Sequence, residues 1–135
     1  MVFGLFKKSG GEETTRYADV VVISLQKSAY YADSRDGLIK TVAAAIDESP
    51  TGKVVIEMSK VEQFTSGPLG ALVVSARKAS EKDGALVLAA AVSGFVGKVL
   101  STATENNASP SYATVRAALS ALSTEAASEY DKQAG

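Results

Sequence analysis

Three strand-sized apolar runs, separated by segments of helical periodicity, constrain this chain more than any other feature of its sequence. Ala18–Leu25, Lys53–Met58 and Ala85–Val92 are rich in β-branched or aliphatic residues and too short to be buried helices. After the first run, Leu38, Ile39, Val42, Ala45 and Ile46 recur at helical spacing. Asp33 or Ser34 caps that helix, and Ser49–Pro50–Thr51–Gly52 breaks it. After the second, Thr65–Ser66–Gly67–Pro68 reads as a helix entrance, a hydroxyl cap with proline near the first turn. Leu69, Leu72, Val73 and Ala76 mark its inner face, Arg77, Lys78 and Lys82 crowd the end where cations suit the dipole, and Asp83–Gly84 closes it. Ser93 caps a short helix carrying Phe95, Val96, Val99 and Leu100. Thr104–Pro110 is a polar break, and a long Ala-rich helix runs from Tyr112 to about Tyr130. Strands so continuously apolar need cover, which makes the class α/β with helices packed on the sheet.

A chain of 135 residues is one domain. Ser9–Thr15 is Gly-rich and polar, so residues 1–15 are expected to be a flexible tail, 16–131 the domain and 132–135 a C-terminal tail.

Composition removes whole classes of chemistry. The chain has no Cys and no His, so no thiolate nucleophile, no imidazole base, no Ser–His pair and no Cys or His zinc site can be built. The acidic residues sit in linker, helix-end and turn contexts without metal-loop spacing, and Gly67–Pro68–Leu69–Gly70 lacks the ending of a phosphate-binding loop. No enzyme, cofactor or metal is expected. Fourteen basic and fifteen acidic side chains leave a net charge of −1, which offers nucleic acid no footprint. No apolar run is long enough to cross a bilayer, and with no export signal the cytoplasm is the expected compartment.

The segment Val54–Leu72 resembles the signature of STAS domains, which include bacterial anti-sigma factor antagonists and the cytoplasmic tails of sulfate transporters. The family pattern is a hydrophobic strand, a loop, then Asp–Ser–Ser–Gly–Leu–Gly entering a helix. An ungapped match puts Thr65 at the Asp, Ser66 at the phosphorylatable Ser, Gly67 at the second Ser and Pro68 at the first Gly; Leu69–Gly70 matches outright. Val21–Leu25, Asp83–Leu88 and Ser93–Leu100 are similar to further family elements in the same order, so the likeness covers residues 17–125. Lys27 stands where the family has Gly, and Tyr30 falls near its usual loop Asp. The strand that usually precedes the last helix is poor, since Glu105–Ser111 is nearly all polar.

The resemblance implies a STAS-like fold: a small mixed β-sheet with helices packed mainly on one face and a long C-terminal helix. It implies a partner-switching signal-transduction module that binds an anti-sigma factor, serine kinase or phosphatase. Binding would be set by phosphorylation of Ser66. Lys27, Ser28, Tyr30, Tyr31, Thr65, Ser66, Gly67 and Leu69 would form the partner-binding surface. Two other roles stay open: a STAS subunit of a lipid-transporting ABC complex, and a stress-signalling scaffold protein.

The residues themselves leave alternatives. Ser66 at a helix N-terminus would place a phosphate beside backbone N–H groups and the positive end of the dipole, yet Ser66 or Thr65 as a simple cap fits equally. Tyr30 and Tyr31 suit an interface, or one ring packs on the sheet edge. Met1–Lys8 reads as an untethered tail, as a weak membrane-surface anchor with Phe3, Leu5 and Phe6 inserting, or as a contact with a second copy in a homodimer.

Overall fold

The computed structural model describes residues 6–9, 12–103 and 111–134. Its strands are β1 (Phe6–Ser9), β2 (Glu12–Tyr17), β3 (Val20–Leu25), β4 (Ala29–Tyr30), β5 (Lys53–Glu57), β6 (Gln63–Phe64), β7 (Ala85–Ala89) and β8 (Ser111–Tyr112). The helices are α1 (Arg35–Glu48), α2 (Ser66–Glu81), α3 (Gly94–Ala103), α4 (Val115–Leu122) and α5 (Thr124–Ala134), with a 3₁₀ turn at Ala32–Ser34 ahead of α1. The main sheet is mixed, in the order β1-β2-β3-β5-β7-β8, and β4 pairs with β6 apart from it. β1, β2 and β3 run antiparallel, whereas β3, β5, β7 and β8 are parallel.

The three apolar runs form the centre of this sheet because both their faces are covered. Val21, Ile23, Leu25, Val54, Ile56, Leu86 and Leu88 point to one side, against Leu38, Val42 and Ile46 of α1, Leu72 and Ala76 of α2, and Val96 and Leu100 of α3. Their alternate neighbours Val20, Val22, Val55, Val87 and Ala89 point the other way, against Ala118 and Leu119 of α4 and Ala126 and Ala127 of α5. A strand shows this period of two whichever helices cover it, so continuous hydrophobicity along the chain records cover on both sides. Three helices pack on one face and two on the other.

Local chemistry ends each element. Ser49 closes α1 by donating its hydroxyl to the Asp19 carbonyl and accepting the Lys53 amide. Lys82, expected to serve its own helix, donates instead to the carbonyls of Ile46 (2.9 Å) and Ser49 (3.1 Å), completing the α1 end. α2 stops where Asp83 turns left-handed at φ 60° and the Gly84 amide returns to the Ala79 carbonyl at 2.8 Å. Here Gly84 lies so close on Gly52 that any Cβ would collide with its backbone.

Three expectations are corrected. Residues 6–9 and 12–15, expected within a flexible tail, belong to β1 and β2, and β2 pairs residue for residue with β3 from Glu12↔Leu25 to Tyr17↔Val20. Main-chain pairing needs no apolar side chains, so a polar edge strand hides from a hydropathy reading. Met1–Leu5, the apolar part of the suggested membrane anchor, lies outside the described residues, as does the Thr104–Pro110 break. The single long C-terminal helix is two: Ser123 is extended at φ −164° and ψ 119°, and its hydroxyl accepts the Ala126 amide at 3.2 Å to start α5. Arg116 then clamps α4 to α5 through two 3.0 Å bonds to Asp131, and α5 continues through residues 132–134, expected as a tail.

Candidate functional site

The β4–β6 pair carries the loop after β3 to the entrance of α2. Ser28 is exposed, and its carbonyl accepts the amides of Glu62 at 2.7 Å and Gln63 at 3.0 Å. The Thr65 amide and hydroxyl both donate to the Tyr30 carbonyl, at 3.1 and 3.2 Å. Thr65 is therefore the N-cap residue of α2 by position but not by side chain, because its hydroxyl is used on β4. That corrects the expected hydroxyl cap. The first-turn amides of α2 receive no side-chain cap from Thr65, and Ser66 is exposed as the first residue of the helix.

The two tyrosines separate sharply. Tyr31 is exposed and donates to Gln63 Oε1 at 2.7 Å, a surface position. Tyr30 is 1% exposed and belongs to the core, with its ring 5.8 Å from that of Phe64. It is thereby removed from the partner surface. Its hydroxyl donates to Glu12 Oε2 at 3.2 Å and accepts the Lys27 amide at 3.5 Å. Burial, and secondarily the Glu12 carboxylate, push the Tyr30 phenol up to about 12 against the opposing pull of the Lys27 amide. Lys27 is exposed, its ammonium 4.7 Å from the Tyr30 ring centroid, so it covers this core residue.

Gly67 and Leu69 also have structural reasons to be where they are. A Cβ on Gly67 would stand 2.9 Å from the Ala32 Cα, so only glycine lets the 3₁₀ turn seat against α2. Leu69 is half-buried against the larger core cluster. Of the eight residues singled out in the sequence, Tyr31, Thr65, Ser66 and the edge of Leu69 are brought together near the α2 entrance.

Sequence reasoning missed the rest of the surface. Ser66, Gly70, Val73 and Arg77 lie at i, i+4, i+7 and i+11 on α2, one stripe of the helix. Val73 and Arg77 line a groove of about 480 Å³ with Phe95, Lys98, Val99 and Thr102 of α3. Phe95, read from the sequence with Val96, Val99 and Leu100 on the apolar part of its helix, is 66% exposed at this groove. The groove thus combines a bare aromatic ring with two cations. On the sheet face covered by α4 and α5, a more polar cleft of about 410 Å³ is lined by Ser24, Glu57, Ser59 and the edge-on rings of Tyr17 and Tyr130. Among the described residues, no cluster of three or more His, Cys, Asp or Glu is placed to hold a metal ion, and no helix is long and apolar enough to cross a membrane.

No protein-family model matches the chain, and no curated protein matches it. Solved structures do. A candidate anti-sigma factor antagonist of Thermotoga maritima superposes with a TM-score of 0.62 at 22% identity, over 81% of this chain and 92% of that one. The anti-sigma factor antagonist SpoIIAA in its unphosphorylated form gives 0.51 at 15% identity, over 71% and 79%. The murine anion transporter solute carrier 26 family member A9 gives 0.57 at 16% identity, over 78% of this chain and 18% of the transporter. The chain has the STAS fold that these structures share.

Proposed function

We propose that this chain is a non-enzymatic regulatory binding module of the anti-sigma factor antagonist kind, acting in the cytoplasm on a protein partner with serine kinase or anti-sigma activity. The observation that carries the reading is the α2 stripe: an exposed serine at the first turn, continuous along the helix with an open groove lined by Phe95, Arg77 and Lys98. Exposed aromatics and Arg beside an apolar floor are what protein interfaces use. In the switching step the partner kinase transfers the γ-phosphoryl of ATP to Ser66 Oγ. The bond to ADP breaks and the serine proton leaves to the kinase base. One phosphate adds ~−1.5 to −2, taking the net charge of the whole chain from −1 to about −2.5 to −3. The likeness to SpoIIAA, solved in a form specified as unphosphorylated, supports control by phosphorylation.

The shared fold with part of an anion transporter favours a second reading, in which the same surface docks on a membrane transporter without modification. Affinity capture with native protein and with Ser66→Ala and Ser66→Glu, combined with mass spectrometry of residue 66, tests the two. Recovery of a serine kinase that Ser66→Glu no longer retains supports switching. A transporter recovered equally by all three forms, with Ser66 never phosphorylated, replaces it with the second reading.

A further inference from the structure

We propose, resting on the reading of Ser66 as a phosphosite, that Arg35 is the residue that holds the phosphate. Arg35 opens α1, and its Nη1 lies 3.4 Å from Asp36 Oδ1. With these side chains 46% and 87% exposed, that contact between chain neighbours is worth little and is easily exchanged. A Cβ built on Gly70 would stand 4.0 Å from Arg35 Nε and near no other group. The guanidinium therefore lies along α2 beside Gly70, four residues after Ser66 and on the same face. Cβ directions on a helix lean towards its N-terminus, so the space in front of Gly70 opens towards Ser66. The glycine meets only Arg35, so packing does not demand it; its effect is that position 70 puts no side chain between Arg35 and Ser66.

Charge narrows the partner further. α2 carries no ionisable side chain before Arg77, and the adjoining turn and first residues of α1 carry Asp33, Arg35 and Asp36. Arg35 is the cation of that group. A phosphate on Ser66 Oγ extends the side chain by the P–O bonds into the space in front of Gly70, where a guanidinium donates two parallel N–H bonds to its oxygens. Capture would draw Arg35 from Asp36 and tie the start of α1 to the start of α2. The partner would then meet a charge-paired phosphate in place of an arginine paired with Asp36.

The test uses the full chain with phosphoserine encoded at position 66, so its outcome does not depend on whether a cellular kinase modifies the residue. The second ionisation of the phosphate is followed by ³¹P NMR. It is expected at a pH lower by about half a unit or more than in Arg35→Gln carrying the same phosphoserine, with Arg35→Lys between them. Gly70→Leu, which keeps Arg35 but fills the space between the two groups, is expected to raise the phosphate pKa as Arg35→Gln does. Equal values in native, Arg35→Gln and Gly70→Leu proteins overturn the assignment. Mass spectrometry of Ser66 in native protein decides separately whether the switch itself operates.

Discussion

Gly67 and Ala32 meet with no room for a side chain between them, the position of a Gly67 Cβ being 2.9 Å from the Ala32 Cα. The family signature has a serine where this chain has Gly67, so this contact marks where the site has its own geometry. Gly67→Ala or Gly67→Ser is expected to push the Ala32–Ser34 turn off α2 and destabilise the fold by about 1–3 kcal/mol, as overpacking does. Urea titration measures it. Wild-type stability in both variants would show that the turn yields freely.

Tyr30 gives the fold an alkaline limit. Its phenol, raised to about 12 from an ordinary value near 10, binds its proton more tightly folded than unfolded. Stability is therefore fully present below pH 10 and falls as pH rises towards 12, by an amount on the order of 2–3 kcal/mol. Tyr17, also raised, chiefly by burial and then by Tyr130, adds to the same loss. Tyr30→Phe is expected to cost about 1–2 kcal/mol at neutral pH, because the Glu12 carboxylate loses a buried donor, and to flatten the slope above pH 10. Urea midpoints at stepped pH values read both effects. An unchanged alkaline slope in Tyr30→Phe would assign the loss elsewhere.

The central strands were legible because hydrophobicity along β3, β5 and β7 reports cover on both faces, and the helix breakers Ser49–Gly52 and Asp83–Gly84 lie where α1 and α2 stop. β2 was not, because Glu12–Tyr17 is held by main-chain pairing, and Glu12 is buried through partners on Tyr30 and Thr41 that lie far along the chain. Helical spacing placed Phe95 with Val96, Val99 and Leu100, but spacing alone does not tell an inner residue from one left bare at a groove edge. The same limit put Tyr30 beside Tyr31. Tyr31 follows β4 in extended conformation, so the two side chains point to opposite sides, and only tertiary pairing with Phe64 decides which ring is buried.

Thr65 and Ser66 are expected to respond oppositely. Thr65 ties α2 to β4 through the Tyr30 carbonyl, so Thr65→Val should cost about 1 kcal/mol of stability while leaving phosphorylation of Ser66 intact. Ser66 is exposed with no such tie, so Ser66→Ala should change stability by less than about 0.5 kcal/mol and abolish modification. Thermal unfolding and mass spectrometry of both variants check the division of labour. A large loss of stability in Ser66→Ala would make the serine a structural cap.

Phe95 separates binding from folding most cleanly. A ring 66% exposed contributes little to the core, so Phe95→Ala is expected to leave the unfolding midpoint within about 0.5 kcal/mol of the native value. Removing the aromatic anchor of the groove is expected to weaken partner binding by at least tenfold, about 1.4 kcal/mol. Lys98→Glu on the same wall should act differently, slowing association and reversing the salt dependence of its rate, because a rim charge steers encounter more than it holds the complex. Calorimetric and stopped-flow titration with the captured partner measure the two effects. Native affinity in Phe95→Ala would move the interface off the α2–α3 groove and back to the Tyr31–Ser66 end of the stripe.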